Sequence, residues 1–142
     1  MKHVQIYTDG ACAGNPGPGG WAALLVYVDG QQQRREKTVA GYECRTTNNR
    51  MELLAAIRGL NSLREPCAVT LYSDSTYVIG IGTGQFRATR NQDLVQDLQH
   101  AVQRHGTVTF TYIPGHSGHA ENARIDAVAR QQVTQATQAY PR

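Results

Sequence analysis

Four acids in this 142-residue chain sit within or at the end of segments that are otherwise apolar: Asp9, Glu52, Asp74 and Asp126. Asp9 closes the alternating stretch Val4–Asp9, just before a glycine. Asp74 follows the apolar stretch Val69–Ser73, at the carboxyl end of a predicted strand, where open α/β sheets usually face their ligands. Asp126 lies between Ile125 and Ala127. Glu52 belongs to Thr46–Leu60 (TTNNRMELLAAIRGL), where Leu53, Ile57 and Leu60 recur at the spacing of one helical stripe. It shares a side of that helix with Ala56 and Gly59, small enough for a close neighbour, and with Asn48 and Asn49 one turn earlier. A carboxylate aimed at packed neighbours costs free energy unless something compensates it.

Taken singly, each acid has an ordinary explanation. Asp74 can cap a helix, Asp9 can serve a turn, and Glu52 and Asp126 can be solvated. Taken together they describe one cluster assembled from four separate elements. Four carboxylates in one pocket raise one another's pKa values, and bound divalent cations reverse that. An all-oxygen set suits Mg²⁺ or Mn²⁺ rather than zinc. Two such ions about 3.5–4 Å apart can clamp the attacking and leaving oxygens of an in-line phosphoryl displacement. Water then attacks, and no side-chain nucleophile is needed.

The elements that must position these acids read as follows. Val4–Asp9 is a strand by its alternation. Gly10–Gly20 (GACAGNPGPGG) is rich in turn formers; it has neither GxGxxG spacing nor GK[ST], so neither nucleotide-loop fingerprint applies. Trp21–Val28 and Gln33–Gly41 are strands joined by a turn at Asp29-Gly30. The Asn-rich helix follows, with Thr46 or Thr47 placed to cap it. Then come a strand at Val69–Ser73, a short helix at Ser75–Ile81 and a glycine-bearing loop over Gly82–Arg90. Asn91 is placed to cap a helix over Gln92–His105, with Leu94, Leu98, Ala101 and Val102 inward. A strand at Thr107–Ile113, a loop at Pro114–His119 and a helix at Ala120–Gln138 complete the chain. Three strands in a meander, then alternating helices and strands, predict an α/β fold: a five-stranded mixed sheet flanked by helices. With no repeat or linker, residues 1–138 read as one domain and 139–142 as a short tail.

Hydrophobic residues make up 40% of the chain, which argues against disorder. No apolar run approaches the ~20 residues of a membrane span, and no charged-then-apolar leader opens the sequence. A cytoplasmic monomer without membrane attachment is therefore expected. Cys12, Cys44 and Cys67 are odd in number and far apart, which excludes a disulfide framework and a zinc site. The formal charge is +3, but setting four of the 11 acids aside in a metal site leaves an excess of seven basic residues. All the basic residues are Arg except Lys2 and Lys37, and Arg is the better fork for phosphate oxygens. A polyanion partner fits that surface, as does an ordinary basic protein.

The chain resembles the type I ribonuclease H family of bacteria and eukaryotes. The resemblance is carried by YTDGACAGNPGPGGWA (Tyr7–Ala22), RTTNNRMELLAA (Arg45–Ala56), YSDSTYV (Tyr72–Val78) and GHSGHAENARID (Gly115–Asp126), in the family's order. It implies the ribonuclease H-like fold and endonucleolytic cutting of the RNA strand of an RNA–DNA hybrid duplex. The products implied are 5′-phosphate and 3′-hydroxyl ends. It maps the family's metal-site acids onto Asp9, Glu52, Asp74 and Asp126, with two Mg²⁺ during catalysis and Mn²⁺ as a substitute. His116 matches the family's loop histidine, implied to act in proton transfer and product release; His119 matches no assigned role. Positions near Cys12, with Asn15, Asn48 and Asn49, match contacts to the RNA strand in its minor groove, and Thr76 lies at a neighbouring matched position. Only the 2′-hydroxyl distinguishes RNA from DNA at a given nucleotide, so a protein must touch it directly. Arg45, Thr47 and Asn91 match a pocket for a phosphate of the DNA strand, and Tyr77 an aromatic position against the DNA sugar.

The span from Asp74 to Asn91 departs from many relatives, which carry there an extra helix and a basic, Trp-bearing protrusion that grips the DNA strand. Here the sequence is IGIGTGQFRATRN, so part of that grip is missing or is supplied by Phe86, Arg87 and Arg90. Counterion release scales with the phosphates neutralised. Hybrid binding titrated against salt should therefore be weaker and shallower in slope than in a relative with the protrusion; an equal or steeper slope contradicts this. Two other readings compete: a non-catalytic hybrid binder that kept the fold, and a nuclease of related fold that cuts duplex RNA or DNA.

Overall fold

The computed structural model describes residues 1–115 and 119–140. In chain order the elements are β1 (His3–Cys12), β2 (Gly17–Val28), β3 (Arg34–Thr46), α1 (Asn48–Asn61), β4 (Ala68–Ser73), α2 (Thr76–Thr83), α3 (Gln92–Gln103), β5 (Thr107–Tyr112) and α4 (Ala120–Ala139). The five strands form one sheet in the order β3-β2-β1-β4-β5. The β1–β2 and β2–β3 pairs are antiparallel, and β1–β4 and β4–β5 are parallel. This is the mixed sheet the element pattern predicts, with β1 at its centre.

Alternation along β1 sends side chains into two cores. Val4 and Ile6 enter the larger one, with Leu53, Ile57 and Leu60 of α1, Leu71 of β4 and Leu98 of α3. Tyr7 enters the smaller one, with Leu24 and Val26 of β2 and Ile125 and Ala129 of α4. There its ring stacks on Tyr72, centroids 4.7 Å apart. Helices thus cover both faces of the sheet.

The sequence expectations hold for every element, with differences that have physical causes. Gly10–Gly20 reads as a turn-rich loop, yet β1 runs on to Cys12 and β2 starts at Gly17, so only four residues turn. Glycine serves there for close approach. A Cβ on Gly20 would lie 2.5 Å from the Ala129 carbonyl oxygen of α4 and 2.8 Å from the Val133 nitrogen. The α1 helix is buried almost all round, from Met51 to Leu60 except Arg58, rather than on one stripe. It is wedged between the sheet and α3, and Gly59 lets Ile6 and Ala23 come within 3.0 and 3.1 Å of where a Cβ would stand. The β2–β3 connection is wider than an Asp29-Gly30 turn. Asp29 Oδ1 accepts from the Gln31 and Gln33 amides at 2.8 and 3.0 Å, and the left-handed residue is Gln32. The α4 helix runs to Ala139, and Tyr140 beyond it packs edge-on against Tyr42.

Candidate active site

Parallel pairing of β1 with β4 decides where two of the acids go. Tyr7 is the register partner of Tyr72. Two residues further along each chain are Asp9 and Asp74, so both carboxylates emerge at the same edge of the sheet. Glu52 joins them from α1 because Gly10 lets β1 and α1 touch backbone to backbone. An added Cβ at Gly10 would stand 2.5 Å from the Glu52 nitrogen and 2.5 Å from the Met51 carbonyl carbon. Asp9, Glu52 and Asp74 each offer a carboxylate oxygen within 4.8 Å of the others. Asp126 approaches from α4, on the other face. It acts on the Asp9 carboxyl, while its Oδ2 receives Arg130 Nε at 3.1 Å. The carboxylates that meet within 4.8 Å, among the described residues, are therefore three, and Asp126 stands beside them.

Electrostatics at this edge follow from burial and like charge. Asp9 is pushed from the ordinary carboxylate range up to about 7, first by burial and then by the charge of Asp74. Glu52 is pushed well above its usual value, again by burial first, then by Asp9 and Asp74. The Gly10 amide donates to Asp9 Oδ1 at 2.9 Å, but Glu52 Oε1 is buried with no hydrogen-bond partner. A buried orphan oxygen in an all-carboxylate cradle fits a hard divalent cation.

That fit gives a measurable linkage. Cations take only the ionised carboxylates, so binding displaces the protons held at neutral pH and below. Titrating Mg²⁺ in buffers of different ionisation enthalpy should show proton release at pH 6–7, and affinity that climbs as pH rises through about 7. The metal-free protein has the opposite trend. A raised carboxyl pKa stabilises the fold fully below the unfolded value of 3.8, and that contribution is lost as pH rises through about 7. Mg²⁺ binding without proton release at pH 6 would contradict the linkage.

The other predicted residues are placed as follows. Thr47 caps α1, its Oγ1 accepting from the Arg50 amide at 3.3 Å. Asn48 and Asn49 are exposed in the first turn, one turn before Glu52. Asn15 is tied to them: its Oδ1 accepts from the Asn48 amide at 2.7 Å. Cys12 points its thiol inward, donating to the carbonyls of Thr46 at 3.3 Å and Gly17 at 3.5 Å. Its side chain is thus a structural element, and main chain is what the β1 end has to offer a ligand. Arg45 is exposed on β3, and Thr76 is exposed at the start of α2, where Ser75 supplies the cap. His116 lies outside the described residues. His119 occupies the position before α4 and makes no side-chain cap bond.

Asn91 is a correction. It stands at the capping position of α3, but in the left-handed region (φ 58°) with no side-chain cap bond. Its amide spans two neighbours instead, accepting from Arg50 Nη1 at 3.3 Å and donating to the Tyr77 hydroxyl at 3.2 Å. Arg50, which no sequence pattern singles out, also grips both oxygens of Asp93 at 3.0 and 2.8 Å. That fork holds Asp93 down near 2 and locks the starts of α1 and α3 together. The only sequence signal was an acid in the first turn of a helix, too common to single out.

Comparison with known proteins bears on this arrangement. The family model described as RNase H matches residues 1–134. The ribonuclease H of Rhizobium meliloti (strain 1021) is 50% identical over 143 aligned residues, covering 92% of this chain and 90% of the relative. Among solved structures, LC11-RNase H1, isolated from compost, aligns with a TM-score of 0.79 at 25% identity, covering 94% of this chain and 98% of that one. The N-terminal RNase H domain of a Mycobacterium tuberculosis protein aligns with a TM-score of 0.85, covering 98% of this chain and 99% of that one; at 23% identity it shows the fold alone. The fold is the one that the opening motifs imply, and the chain belongs to the ribonuclease H family of hydrolases.

Proposed function

We propose that this chain hydrolyses the RNA strand of RNA–DNA hybrids at internal positions, leaving 5′-phosphate and 3′-hydroxyl ends. In this reading it works as a cytoplasmic monomer; no helix among the described residues is long and apolar enough to cross a membrane. Asp9, Glu52, Asp74 and Asp126 would hold two divalent cations, Mg²⁺ or, in its place, Mn²⁺. The observation that carries the reading is the meeting of three carboxylates within 4.8 Å, one of them with a buried orphan oxygen. The LC11-RNase H1 structure, which was solved in complex with an RNA/DNA hybrid, supports the choice of substrate.

When bound, paired cations supply positive charge to the attacking and leaving oxygens of a phosphoryl displacement. The chain's own residues do the rest. Glu52 sits where the acid cluster meets the rim, one helical turn from the exposed Asn48 and Asn49. Those amides and the main chain near Cys12 and Asn15 read the minor groove of the RNA strand, where the 2′-hydroxyl is accessible. Thr47 and Arg45 stand at the start of α1, whose first amides favour an anion, and Asn91 faces the same end of the helix. They take a DNA-strand phosphate, with Tyr77 against the neighbouring sugar and Thr76 beside it. His116 moves a proton and helps product leave.

The decisive experiment presents four labelled duplexes of the four strand combinations, each with Mg²⁺, Mn²⁺ or chelator. Metal-dependent cutting confined to RNA in the hybrid is expected. Cutting of duplex RNA or duplex DNA at comparable rate, or binding without cutting, would overturn the proposal.

A further inference from the structure

One residue at the crossing of α1 and α3 makes more bonds than a tie between helices requires. Arg50 takes both oxygens of Asp93 at 3.0 and 2.8 Å, and that fork alone would hold the two helix starts together. Yet its Nη1 also donates to Asn91 Oδ1 at 3.3 Å, and its main-chain amide donates to Thr47 Oγ1 at 3.3 Å. Asn91 and Thr47 are neutral groups that can both donate and accept.

A guanidinium and a backbone N–H carry donors only. Arg50 therefore dictates how its two neutral partners are turned. The Asn91 oxygen must face Arg50, so its Nδ2 points the other way. There it donates to the Tyr77 hydroxyl oxygen at 3.2 Å. Asn91 keeps a second N–H, and Tyr77 keeps its own O–H, neither engaged among the described residues. Thr47, with its oxygen taken by the Arg50 amide, likewise keeps its O–H. Asn91 is available for this relay because it stands in the left-handed region and does not cap its own helix. Tyr77 and Asn91 line a cleft of about 250 Å³ together with Asn49. With the amide turned the other way, Asn91 would show oxygen lone pairs to that cleft, and an anion there would be repelled.

We infer that Arg50 is a positioning residue for anion binding: by occupying acceptor atoms of Asn91 and Thr47, it turns the N–H and O–H donors of Asn91, Tyr77 and Thr47 outward to a sugar–phosphate backbone. The inference rests on the hybrid reading above, in which these three meet the DNA strand. It gives Arg50 itself no contact with nucleic acid.

The test is a double-mutant cycle on hybrid binding in excess EDTA, where nothing is cut. Arg50→Met removes the side-chain donors, and Asn91→Ala removes the amide through which they act. Each should weaken binding roughly 10-fold, the scale of one hydrogen bond to a charged acceptor. The double variant should fall within about 3-fold of Asn91→Ala, because residues acting through one contact are not additive. Arg50→Lys keeps a donor and should recover most of the affinity. Asp93→Asn breaks the same fork but leaves Arg50 its bond to Asn91. It should lower the melting temperature, as Arg50→Met does, without the loss of hybrid affinity. In the free protein, the Asn91 side-chain NH₂ resonances should move toward those of a solvated amide in Arg50→Met and hold in Arg50→Lys. With Mg²⁺ present, the loss in Arg50→Met should appear in KM rather than kcat. Additive losses in the double variant, an equal loss of affinity in Asp93→Asn, or unmoved Asn91 resonances in Arg50→Met would overturn the inference. A parent protein that neither binds nor cuts hybrid would instead overturn the proposed function, while the Asn91 resonances would still report whether Arg50 holds the amide, so the two failures are distinguishable.

Discussion

Replacing Asp9 with Asn should nearly abolish cleavage while making the metal-free protein more resistant to heat above neutral pH. The two effects share one cause. Asp9 is 5% exposed and faces Asp74, Glu52 and Asp126, so its ionised form is costly and its pKa climbs from 3.8 to about 7. Each pKa unit corresponds to about 1.4 kcal/mol between the protonation states, so ionising the folded protein at pH 8 costs on the order of a few kcal/mol. Asn removes that cost and still accepts the Gly10 amide through its own oxygen. At pH 4 Asp9 is protonated and the two proteins should melt alike. Cleavage has the opposite dependence. An amide cannot supply the charge that a divalent cation requires, and cation-derived stabilisation of several kcal/mol corresponds to roughly three or more orders of magnitude in kcat. Melting curves at pH 4 and 8, with single-turnover cleavage, check both halves. Wild-type activity in Asp9→Asn would end the metal-site reading, and equal melting at pH 8 would show that Asp9 is not held against its neighbours.

Gly10→Ala should be strongly destabilising for a single added methyl group. Its Cβ would meet the backbone of Met51 and Glu52 at 2.5 Å and the Met51 Cβ at 2.9 Å, where no flexible side-chain end can swing aside. Nor can α1 retreat freely, because α3 packs against its far side through Leu94, Leu98 and Ala101. Overpacking of this kind costs about 1–3 kcal/mol, and rigid backbone on both sides places this case at or above the top of that range. Any relief must part β1 from α1, which draws Glu52 away from Asp9. The variant should therefore lose Mg²⁺ affinity as well as stability, as read by urea denaturation and calorimetry. Gly30→Ala is the matched control: no atom lies within 4 Å of its Cβ, and its stability should stay within about 0.5 kcal/mol of the parent. A Gly10→Ala protein as stable as the parent would show that the contact yields more easily than its geometry implies.

The periodicities that are legible in the sequence are those that a single element can express. Alternation in Val4–Asp9 and the Leu53–Ile57–Leu60 spacing announce a strand and a helix without help from the rest of the chain. The parallel pairing of Tyr7 with Tyr72 cannot be read that way, since nothing local to either strand names its partner. The four motif segments nonetheless point to Asp9, Glu52, Asp74 and Asp126 as one cluster, and the carboxylates of three do converge. What local pattern misses is contact across elements. Gly10 reads as turn material until a helix is seen against it. Asn91 reads as a cap until Arg50 and Tyr77 are seen to claim its amide. Glu52 reads as half-solvated on an amphipathic helix until Gly10 of β1 is seen against its backbone and Asp9 and Asp74 beside its carboxylate.

The presence of separate cores above and below the sheet divides the acid cluster unequally. Asp9, Glu52 and Asp74 hang from β1, α1 and β4, which share the larger core, whereas Asp126 rides on α4, which packs over the smaller one. A local opening confined to α4 would withdraw one carboxylate and leave three assembled. Loss of the three demands the melting of the central strand itself. If Asp126 takes part as proposed, activity should lapse and return through local opening of α4, with the remainder of the molecule still native.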